Sequence, residues 1–470
     1  MVFNSYIFLV FFAAVLALHY LPLPWRVKKF NLLWASYLFY AAWNPPFIVL
    51  LWISTIADWW CAKGIFRSRS LSRKRLFLAG SLVVNLGLLG YFKYGGFVLE
   101  NFVQLADALG IGFSPAAPDI VLPVGISFYT FQSLSYSLDI YRGKLEPWDS
   151  RLDFAMYVTF FPQLVAGPIV RAADFLPQLE AERRATAEQF GWGMFLVVLG
   201  LFEKIVLADA FCAPVADAVY AAPHSAGMGD AWIGTMAFSA QIFFDFNGYS
   251  TTAIGCGLCL GFLLPDNFRS PYAAAGFTDF WRRWHISLSS WLRDYLYIQL
   301  GGNRKGDLRA AVNAMITMLL GGLWHGASWR FVAWGGIHGA LLMAERGVRR
   351  LLPDARLNSR AALFGMVFFT WICVLFTWTF FRAQTFGGAA SLCAAMVAGG
   401  ASSLVDARGA IYILVITVGL LAVHWGMRDR DFVHTMAAVP WFWRAVFVAA
   451  MLVAMGLTPG EDRAFIYFQF

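Results

Sequence analysis

Two histidines lie in polar stretches of a chain that is otherwise largely apolar. His285 lies in Phe280-Trp-Arg-Arg-Trp-His-Ile-Ser-Leu-Ser-Ser-Trp-Leu-Arg-Asp-Tyr295, and His325 lies in Gly321-Gly-Leu-Trp-His-Gly-Ala-Ser-Trp329. Ionisable side chains at membrane depth are costly and are usually retained for a function. An imidazole exchanges a proton near pH 7, which few other side chains do unaided. The first hypothesis is therefore proton-transfer chemistry inside a membrane.

The composition indicates a polytopic membrane protein. Of the 470 residues, 59% are hydrophobic and 14% are charged, whereas an average soluble domain is roughly 25% charged. A large soluble enzyme with 20 Trp and 45 Phe would have too few polar residues to form its water-exposed surface. The net charge of +8 comes from basic residues clustered between apolar runs, which orients a membrane protein and does not point to nucleic acid.

The six cysteines do not suggest a metal site or a disulfide-bonded module. Cys256 and Cys259 form a Cys-x-x-Cys motif within the apolar run 254–264, but no second pair of ligands accompanies them. A zinc site needs four ligands. We therefore expect small buried residues here, no metal and no permanently bound cofactor.

Apolar runs of about 20 residues can cross a bilayer, and the chain contains many of them. They predict an all-α membrane protein with about 11 to 12 crossings. We expect one membrane-embedded domain over residues 1–470, with its core motifs at about 122–344. The predicted spans are 4–21, 30–43, 45–62, 76–92, 121–141, 190–208, 231–263, 311–324, 329–344, 361–381, 410–427 and 443–458.

The distribution of Lys and Arg predicts the orientation of the chain. Basic residues follow the first run at 26–29 and the third run at 63–75, and the connection between the second and third runs is short and uncharged. Alternation places both basic loops in the cytoplasm, and the N-terminus and Phe465–Phe470 in the periplasm. The longer connections are 93–120 and 386–409, expected to be outside loops, and 171–189, expected to be a helical cytoplasmic connection.

Residues 280–298 fit an amphipathic helix that lies at the membrane interface or half-buried against other helices. Its aromatic and aliphatic residues recur at steps of three and four, which forms one stripe at about 100° per residue. Arg282 and Arg293 lie away from this stripe, and His285 lies near the border between the two faces. His285 could therefore touch both an apolar cavity and a polar ligand, or it could serve only to pack the helix.

A basic neighbourhood accompanies this segment. The following residues 300–307 read Leu-Gly-Gly-Asn-Arg-Lys-Gly-Asp. Their flexible backbone amides, with Arg282, Arg283 and Arg304, could hold a phosphorylated donor by charge and exposed N–H groups. The alternative is ordinary positive-inside charge. The glycine spacing is not that of a P-loop or a dinucleotide-binding fingerprint.

His325 follows an apolar run and is flanked by Gly322, Trp324 and Gly326. Glycine on both sides permits close backbone approach and irregular geometry, which membranes tolerate only where it is buried in protein or lines a cavity. A histidine in a water-poor tunnel near a cationic patch suits general-base catalysis of acyl transfer. It would deprotonate an acceptor hydroxyl, and the alkoxide would attack a thioester such as acyl-coenzyme A.

The segments 280–304 and 321–334 resemble the signature of the membrane-bound O-acyltransferase family. The likeness is closest to the bacterial branch of alginate O-acetyltransferase and related exopolysaccharide acetylases, and it covers most of the chain from about residue 30. Further motifs of that branch are Leu122-Pro-Val-Gly-Ile-Ser-Phe-Tyr-Thr-Phe-Gln132, Phe161-Pro-Gln-Leu-Val-Ala-Gly-Pro-Ile-Val-Arg171, Gln241-Ile-Phe-Phe-Asp-Phe-Asn-Gly-Tyr249 and Phe465-Ile-Tyr-Phe-Gln-Phe470.

The resemblance implies a helical core with a funnel or tunnel, where a cytoplasmic donor, here acetyl-coenzyme A, meets an acceptor from the other side. The family's catalytic histidine maps onto His325, and a second family position maps onto His285. The resemblance also implies the bacterial inner membrane, a periplasmic serine-hydrolase-like partner and the exopolysaccharide synthesis machinery. Candidates for donor binding or tunnel lining are Asp245, Asn247, Arg282, Arg283, Asp294, Asn303, Arg304 and Trp324.

Two alternatives remain open on the sequence. The chain could be a transporter or flippase of lipid-linked sugar or acyl groups, with Glu203 and Lys204 on its path, although these two could simply form a helix-end pair. It could also be an acyltransferase with a long-chain donor or a protein acceptor. The polymer itself is not identified by the sequence, so alginate, cellulose, peptidoglycan and other glycans all remain candidates.

Overall fold

The computed structural model describes residues 1–116, 120–351, 359–458, 463, 465 and 466. All regular structure among these residues is helical, which confirms the predicted all-α class. The chain is a multi-pass membrane protein, and the number of crossings, about 11 to 12, stays a prediction. The described helical segments that are long and apolar enough to cross a bilayer are Pro45–Arg67, Leu71–Ala108, Arg360–Arg382 and Ala407–Met427.

The chain divides into two compact units. The first unit comprises residues 1–194, 253–265 and 326–328, and the second comprises 195–252, 266–325 and 329–470. The unit boundary falls inside the helices Ala187–Phe202 and Met228–Cys259. The other α-helices of the first unit are Tyr6–Tyr20, Trp25–Ala41, Ile48–Arg67, Leu71–Leu89, Gly95–Ala108, Ile126–Tyr141, Arg151–Thr159, Phe161–Leu164 and Ala172–Phe175.

A buried carboxylate joins three helices of the first unit. Asp58 accepts hydrogen bonds from the Ser81 hydroxyl, from Asn85 Nδ2 at 2.9 Å and from the Ser137 hydroxyl at 3.2 Å. Each donor comes from a helix that packs against the helix of Asp58. Because buried polar groups are stable only when they are hydrogen-bonded, this network fixes how the three helices pack.

The second unit contains both histidines of interest and a core rich in aromatic residues. Its largest fully buried side chains include Trp284, Trp334 and Trp378. Its remaining α-helices are Ala213–Ala221, Phe277–Arg283, Ile286–Leu292, Asp307–His325, Trp329–Leu351, Arg360–Arg382, Phe386–Ala398, Ala407–Met427, Phe432–Ala437 and Trp441–Leu457. Helices of the predicted extents 311–324, 329–344 and 361–381 are therefore present.

The prediction of an outside loop over 93–120 is wrong for most of that stretch. The helix Leu71–Leu89 continues through a π-helical turn, Gly90–Tyr94, into Gly95–Ala108. Apolar residues still recur there at steps of three and four, as at Val98, Phe102 and Leu105, so the helical pattern persists past the glycines.

Two other connections also differ from their predictions. The predicted loop 386–409 contains the helix Phe386–Ala398, which begins where the Thr385 hydroxyl accepts a hydrogen bond from the Gly388 N–H at 3.0 Å. Ser and Thr hydroxyls stabilise helix starts in this way. The connection 171–189, predicted to be helical, has only the short helix Ala172–Phe175 and the 3₁₀ turn Leu176–Leu179 before Ala187.

Candidate active site

His325 is positioned by a close crossing of two helices. It is the last residue of Asp307–His325, and the next helix begins four residues later at Trp329. At the crossing, a methyl group added to Gly322 or to Gly335 would overlap a backbone carbonyl of the facing helix. Small residues let helix backbones in membranes approach this closely. The glycine pair therefore sets where the end of the first helix, and with it His325, lies.

Aromatic rings enclose the His325 imidazole. The ring centroids of Trp324, Trp334 and Phe381 lie 5.0, 5.1 and 5.4 Å from that of His325, and all three rings are close to perpendicular to it. Only 3% of His325 is exposed. These contacts place His325 in a mainly apolar setting, as the predicted water-poor passage requires.

The continuous amphipathic helix predicted over 280–298 is interrupted at His285. One helix, Phe277–Arg283, ends before it, and a second, Ile286–Leu292, begins after it. His285 itself adopts a left-handed backbone conformation with φ 44° and ψ 55°. This conformation costs about 1–3 kcal/mol for a residue other than glycine, and such strain is concentrated at functional sites. The predicted division into faces holds in part: Trp284 and Trp291 are buried and Arg282 and Arg293 are exposed, but Ile298 at the end of the stripe is also exposed.

Asn267 supports the interrupted backbone. Its carbonyl oxygen accepts a hydrogen bond from the Ile286 N–H at 2.9 Å. Its side-chain oxygen accepts a bond from the Ser287 hydroxyl at 2.6 Å and lies 3.4 Å from His285 Nδ1, and its side-chain nitrogen donates to the Ser250 hydroxyl at 3.1 Å. These bonds replace those that a continuous helix would make, and they hold the His285 ring from one side.

The two imidazoles lie close to each other within the second unit. Their centroids lie 6.5 Å apart, which is too far for a direct hydrogen bond between the rings. Trp324 contacts both, at 5.8 Å from His285 and 5.0 Å from His325, and the ring of Phe246 meets His285 edge-on at 4.6 Å. The two imidazoles are thus neighbours, and aromatic rings surround both of them.

Burial fixes the protonation state of His285. Phe277–Arg283 has seven residues, and Ile286–Leu292 has seven that continue into the five-residue π-helical turn Arg293–Tyr297, so both helical segments are too short to span the membrane. Burial lowers the pKa of His285 to about 3, because a charged imidazole would lose its hydration there. His285 is therefore neutral at physiological pH and can accept one hydrogen bond and donate another.

The structure places several other candidate residues in local ion pairs or on the surface. Arg283 pairs with Asp279 at 2.8 Å and donates to the backbone carbonyl of Arg428 at 2.6 Å. Asp294 pairs with its neighbour Arg293 at 2.8 Å. The exposed candidates are Arg282, Asn303 and Arg304.

Asp245 and Asn247 belong to a buried polar cluster with Glu203 and Lys204, and Phe246 between them packs on the His285 ring. Asp245 pairs with Lys204 at 2.7 Å, and Asn247 Nδ2 donates to Glu203 at 2.7 Å. Lys204 also pairs with Asp209 at 2.9 Å, so Glu203 and Lys204 do not form the helix-end pair considered from the sequence. Asp245 further accepts a hydrogen bond from the N–H of Ile466, at the start of the C-terminal motif whose last four residues lie outside the described part of the chain.

Residues that the sequence analysis missed complete the surroundings of the two histidines. Asn267, Trp334 and Phe381 each contact one of the imidazoles, and Ser287 donates hydrogen bonds to the side-chain oxygen of Asn267. Asn267 lies just after Pro265, and a polar residue in a short connection between apolar runs was the available signal. Within the described residues, no three His, Cys, Asp or Glu side chains are arranged to hold a metal ion.

Comparison with known proteins identifies the family. Residues 149–383 match the model of MBOAT, the membrane-bound O-acyltransferase family. The matched segment contains both histidines and every helix that positions them.

Relatives of named activity match over nearly the whole chain. A protein of Azotobacter vinelandii named "Probable alginate O-acetylase" is 42% identical over 91% of this chain and 85% of its own length. A protein of the same name from Pseudomonas putida is 38% identical over the full length of both chains. A peptidoglycan O-acetyltransferase of Helicobacter pylori is 36% identical over 84% of this chain and 80% of its own. The chain therefore belongs to the membrane-bound O-acyltransferase family and is an O-acyltransferase.

Proposed function

We propose that the chain transfers acetyl groups from cytoplasmic acetyl-coenzyme A toward hydroxyl groups of an exported polysaccharide. The observation that carries the proposal is the pair of buried imidazoles, 6.5 Å apart in an aromatic shell. The relatives named as alginate and peptidoglycan O-acetylases support acetyl as the group and a glycan as the destination. Family membership makes the chain an enzyme, which favours acyl transfer over the transporter considered from the sequence.

His325 is the general base in this proposal. Its imidazole takes the proton of the acceptor hydroxyl, the hydroxyl oxygen forms a bond to the acetyl carbon, and the carbon–sulfur bond of the thioester breaks. The proton then passes from the imidazolium to the thiolate, so coenzyme A leaves as the free thiol and His325 returns to its neutral state. A positioned base typically contributes about 10²–10⁴-fold to the rate.

His285, whose ring lies 6.5 Å from that of His325, orients the reacting groups. It is neutral at physiological pH, so it adds no charge to the apolar shell and offers one donor and one acceptor. Asn267 and the left-handed backbone at His285 fix the direction of its ring. The short separation of the two rings is what allows both to contact one substrate.

The route of the acetyl group follows from the proposed orientation. The basic residues at 26–29 and 63–75, which lie at helix ends and in the short turn between two helices, face the cytoplasm by the positive-inside rule, and the N- and C-termini lie in the periplasm. The enzyme then resides in the bacterial inner membrane, with the donor on one side and the acceptor on the other. A periplasmic serine-hydrolase-like partner receives the acetyl group and delivers it to the polymer.

The experiment compares His325 variants with a matched histidine control. His325→Ala and His325→Gln are produced in cells that lack the native enzyme, alongside His434→Gln, which changes an exposed histidine of the same chain. We expect the His325 variants to leave the exported polymer without acetyl esters, and the control to acetylate it normally. Normal ester content in the His325 variants, at equal expression, would refute the proposal.

The identity of the donor needs its own test. Purified enzyme is supplied with radiolabelled acetyl-coenzyme A, and unlabelled coenzyme A thioesters of increasing chain length compete with it. We expect acetyl and other short thioesters to reduce labelling and long ones to have little effect. Strong competition by long-chain thioesters alone would favour the long-chain acyltransferase considered from the sequence.

A further inference from the structure

A basic cleft in the first unit shares no residue with the candidate active site. It has a volume of about 520 Å³ and is lined by Trp25, Arg26, Lys29, Ser150, Arg151 and Leu152. By the positive-inside rule this end of the unit lies in the cytoplasm, since the basic residues of the first two loops concentrate there.

The cleft carries an excess of positive charge. Three of its lining residues are cations, and the carboxylate beside them is Asp153, which pairs with Lys29 at 2.5 Å. Lys29 also donates to the Leu179 carbonyl at 3.3 Å, so one of the three N–H groups of its ammonium is left for a ligand. Two cations of the cleft, Arg26 and Arg151, form no ion pair or hydrogen bond through their side chains with any described residue.

The guanidinium of Arg151 is prepared for an anion. Its Cζ lies over the ring of Trp59, 4.7 Å from the ring centroid, and this cation–π contact holds the group in place without using its N–H donors. Two helices, Trp25–Ala41 and Arg151–Thr159, also begin at the cleft. Helix starts favour negative charge, although at Arg151–Thr159 the Ser150 hydroxyl already accepts the Asp153 N–H at 3.2 Å. The positive charge, the free N–H donors and the helix starts thus all favour an anionic ligand.

The surface next to the cleft indicates where the anion comes from. On the helix that begins at Trp25, the exposed apolar residues Val27, Phe30, Trp34 and Leu38 form one stripe, as expected of a lipid-facing side. At 100° per residue, Arg26 falls between Lys29 and this stripe. A ligand held by Arg26 therefore sits at the edge of the lipid-facing surface.

We propose that this cleft binds the phosphate group of an anionic phospholipid of the cytoplasmic leaflet, held by Arg26, Lys29 and Arg151. Basic pockets at the cytoplasmic ends of membrane helices recognise such headgroups by charge and hydrogen bonds. A lipid bound at this position contacts the starts of two helices, Trp25–Ala41 and Arg151–Thr159, and so links them. The inference stands whether or not the proposed acetyl transfer is correct, because no catalytic residue takes part in it.

The experiment measures lipid retention by the full-length protein. The wild type is purified in a neutral detergent and offered equal amounts of phosphatidylglycerol and phosphatidylcholine with the same acyl chains, and native mass spectrometry counts the bound lipid. The test variant is Arg26→Gln with Arg151→Gln, and the matched control is Arg73→Gln with Arg75→Gln, which removes two exposed charges from another basic loop.

We expect the wild type and the control to retain phosphatidylglycerol, and the test variant to bind it roughly 20-fold more weakly. Equal retention by the test variant and the control would overturn the proposal. A second arm adds inorganic pyrophosphate or coenzyme A at millimolar concentration, and little displacement is expected. Displacement of the lipid from the wild type and from the control by these compounds would instead assign the cleft to a soluble phosphate and overturn the lipid source.

Discussion

The glycine crossing between Asp307–His325 and Trp329–Leu351 supports a quantitative prediction. A Cβ atom on Gly322 would overlap the Phe331 carbonyl and lie 3.1 Å from the backbone nitrogen of Gly335. Backbone atoms cannot rotate away as a side chain can, so Gly322→Ala must move the two helices apart. The displacement is on the order of 1 Å at His325, one turn away, and a misplacement of that size can cost about 100-fold in rate.

The stability cost of the same change is about 1–3 kcal/mol, which is typical of an extra methyl group in a packed core. Gly336→Ala is the matched control, because its Cβ would lie 3.4 Å from the flexible end of the Leu319 side chain and alanine is the better helix former. Acetyl transfer and thermal unfolding in detergent are measured for both variants. Full activity and an unchanged melting temperature in Gly322→Ala would refute the argument that the crossing positions His325.

Further predictions concern the other side of the site and the buried charges. Asn267→Leu removes the hydrogen bonds that hold the His285 ring, so we expect kcat to fall by about 10–100-fold with little change in the KM for the donor, and an equal rise in KM would contradict a positioning role. For His285, the folded-state pKa of about 3 lies below the ordinary value of 6.5, so its neutral form stabilises the fold fully above about pH 6.5 and progressively less as the pH falls toward 3. Between pH 7.5 and 5.5 the wild type should lose about 1.4 kcal/mol of stability that His285→Gln does not lose, and parallel melting curves for the two proteins would contradict this. Lys204→Met leaves its two buried carboxylate partners without a cation and should destabilise the protein by about 3–5 kcal/mol, whereas Arg293→Gln, in an exposed pair, should change stability by less than about 1 kcal/mol. Equal melting temperatures for those two variants would show that the buried cluster does not need its lysine.

The helices that carry His325 could be predicted because their signal is local. An apolar run, two flanking glycines and a second apolar run define a pair of helices with a close approach, and the structure has Asp307–His325 and Trp329–Leu351 with glycines at their contact. The faces of the segment around His285 could also be predicted, since burial follows hydrophobicity along a helix.

The interruption at His285 could not be predicted because its cause is distant in the sequence. Spacing alone favours a continuous helix, but Asn267, eighteen residues earlier, supplies the hydrogen bonds that stabilise the break. The pairing of Lys204 with Asp245 escaped prediction for the same reason, since Asp245 is remote from it along the chain. Tertiary hydrogen bonds and ion pairs override local preference at such positions, and the sequence pattern does not record them.

The central claim is that the His325 imidazole is the base that activates the acceptor hydroxyl. The direct measurement is the rate of acetyl transfer from labelled acetyl-coenzyme A by the purified enzyme, for the wild type, His325→Gln and the exposed control His434→Gln. We predict that kcat falls by about 10²–10⁴-fold in His325→Gln, with the KM for the donor little changed, and that the control matches the wild type. A His325→Gln rate within a few-fold of wild type, in protein with the wild-type melting temperature, would contradict the account.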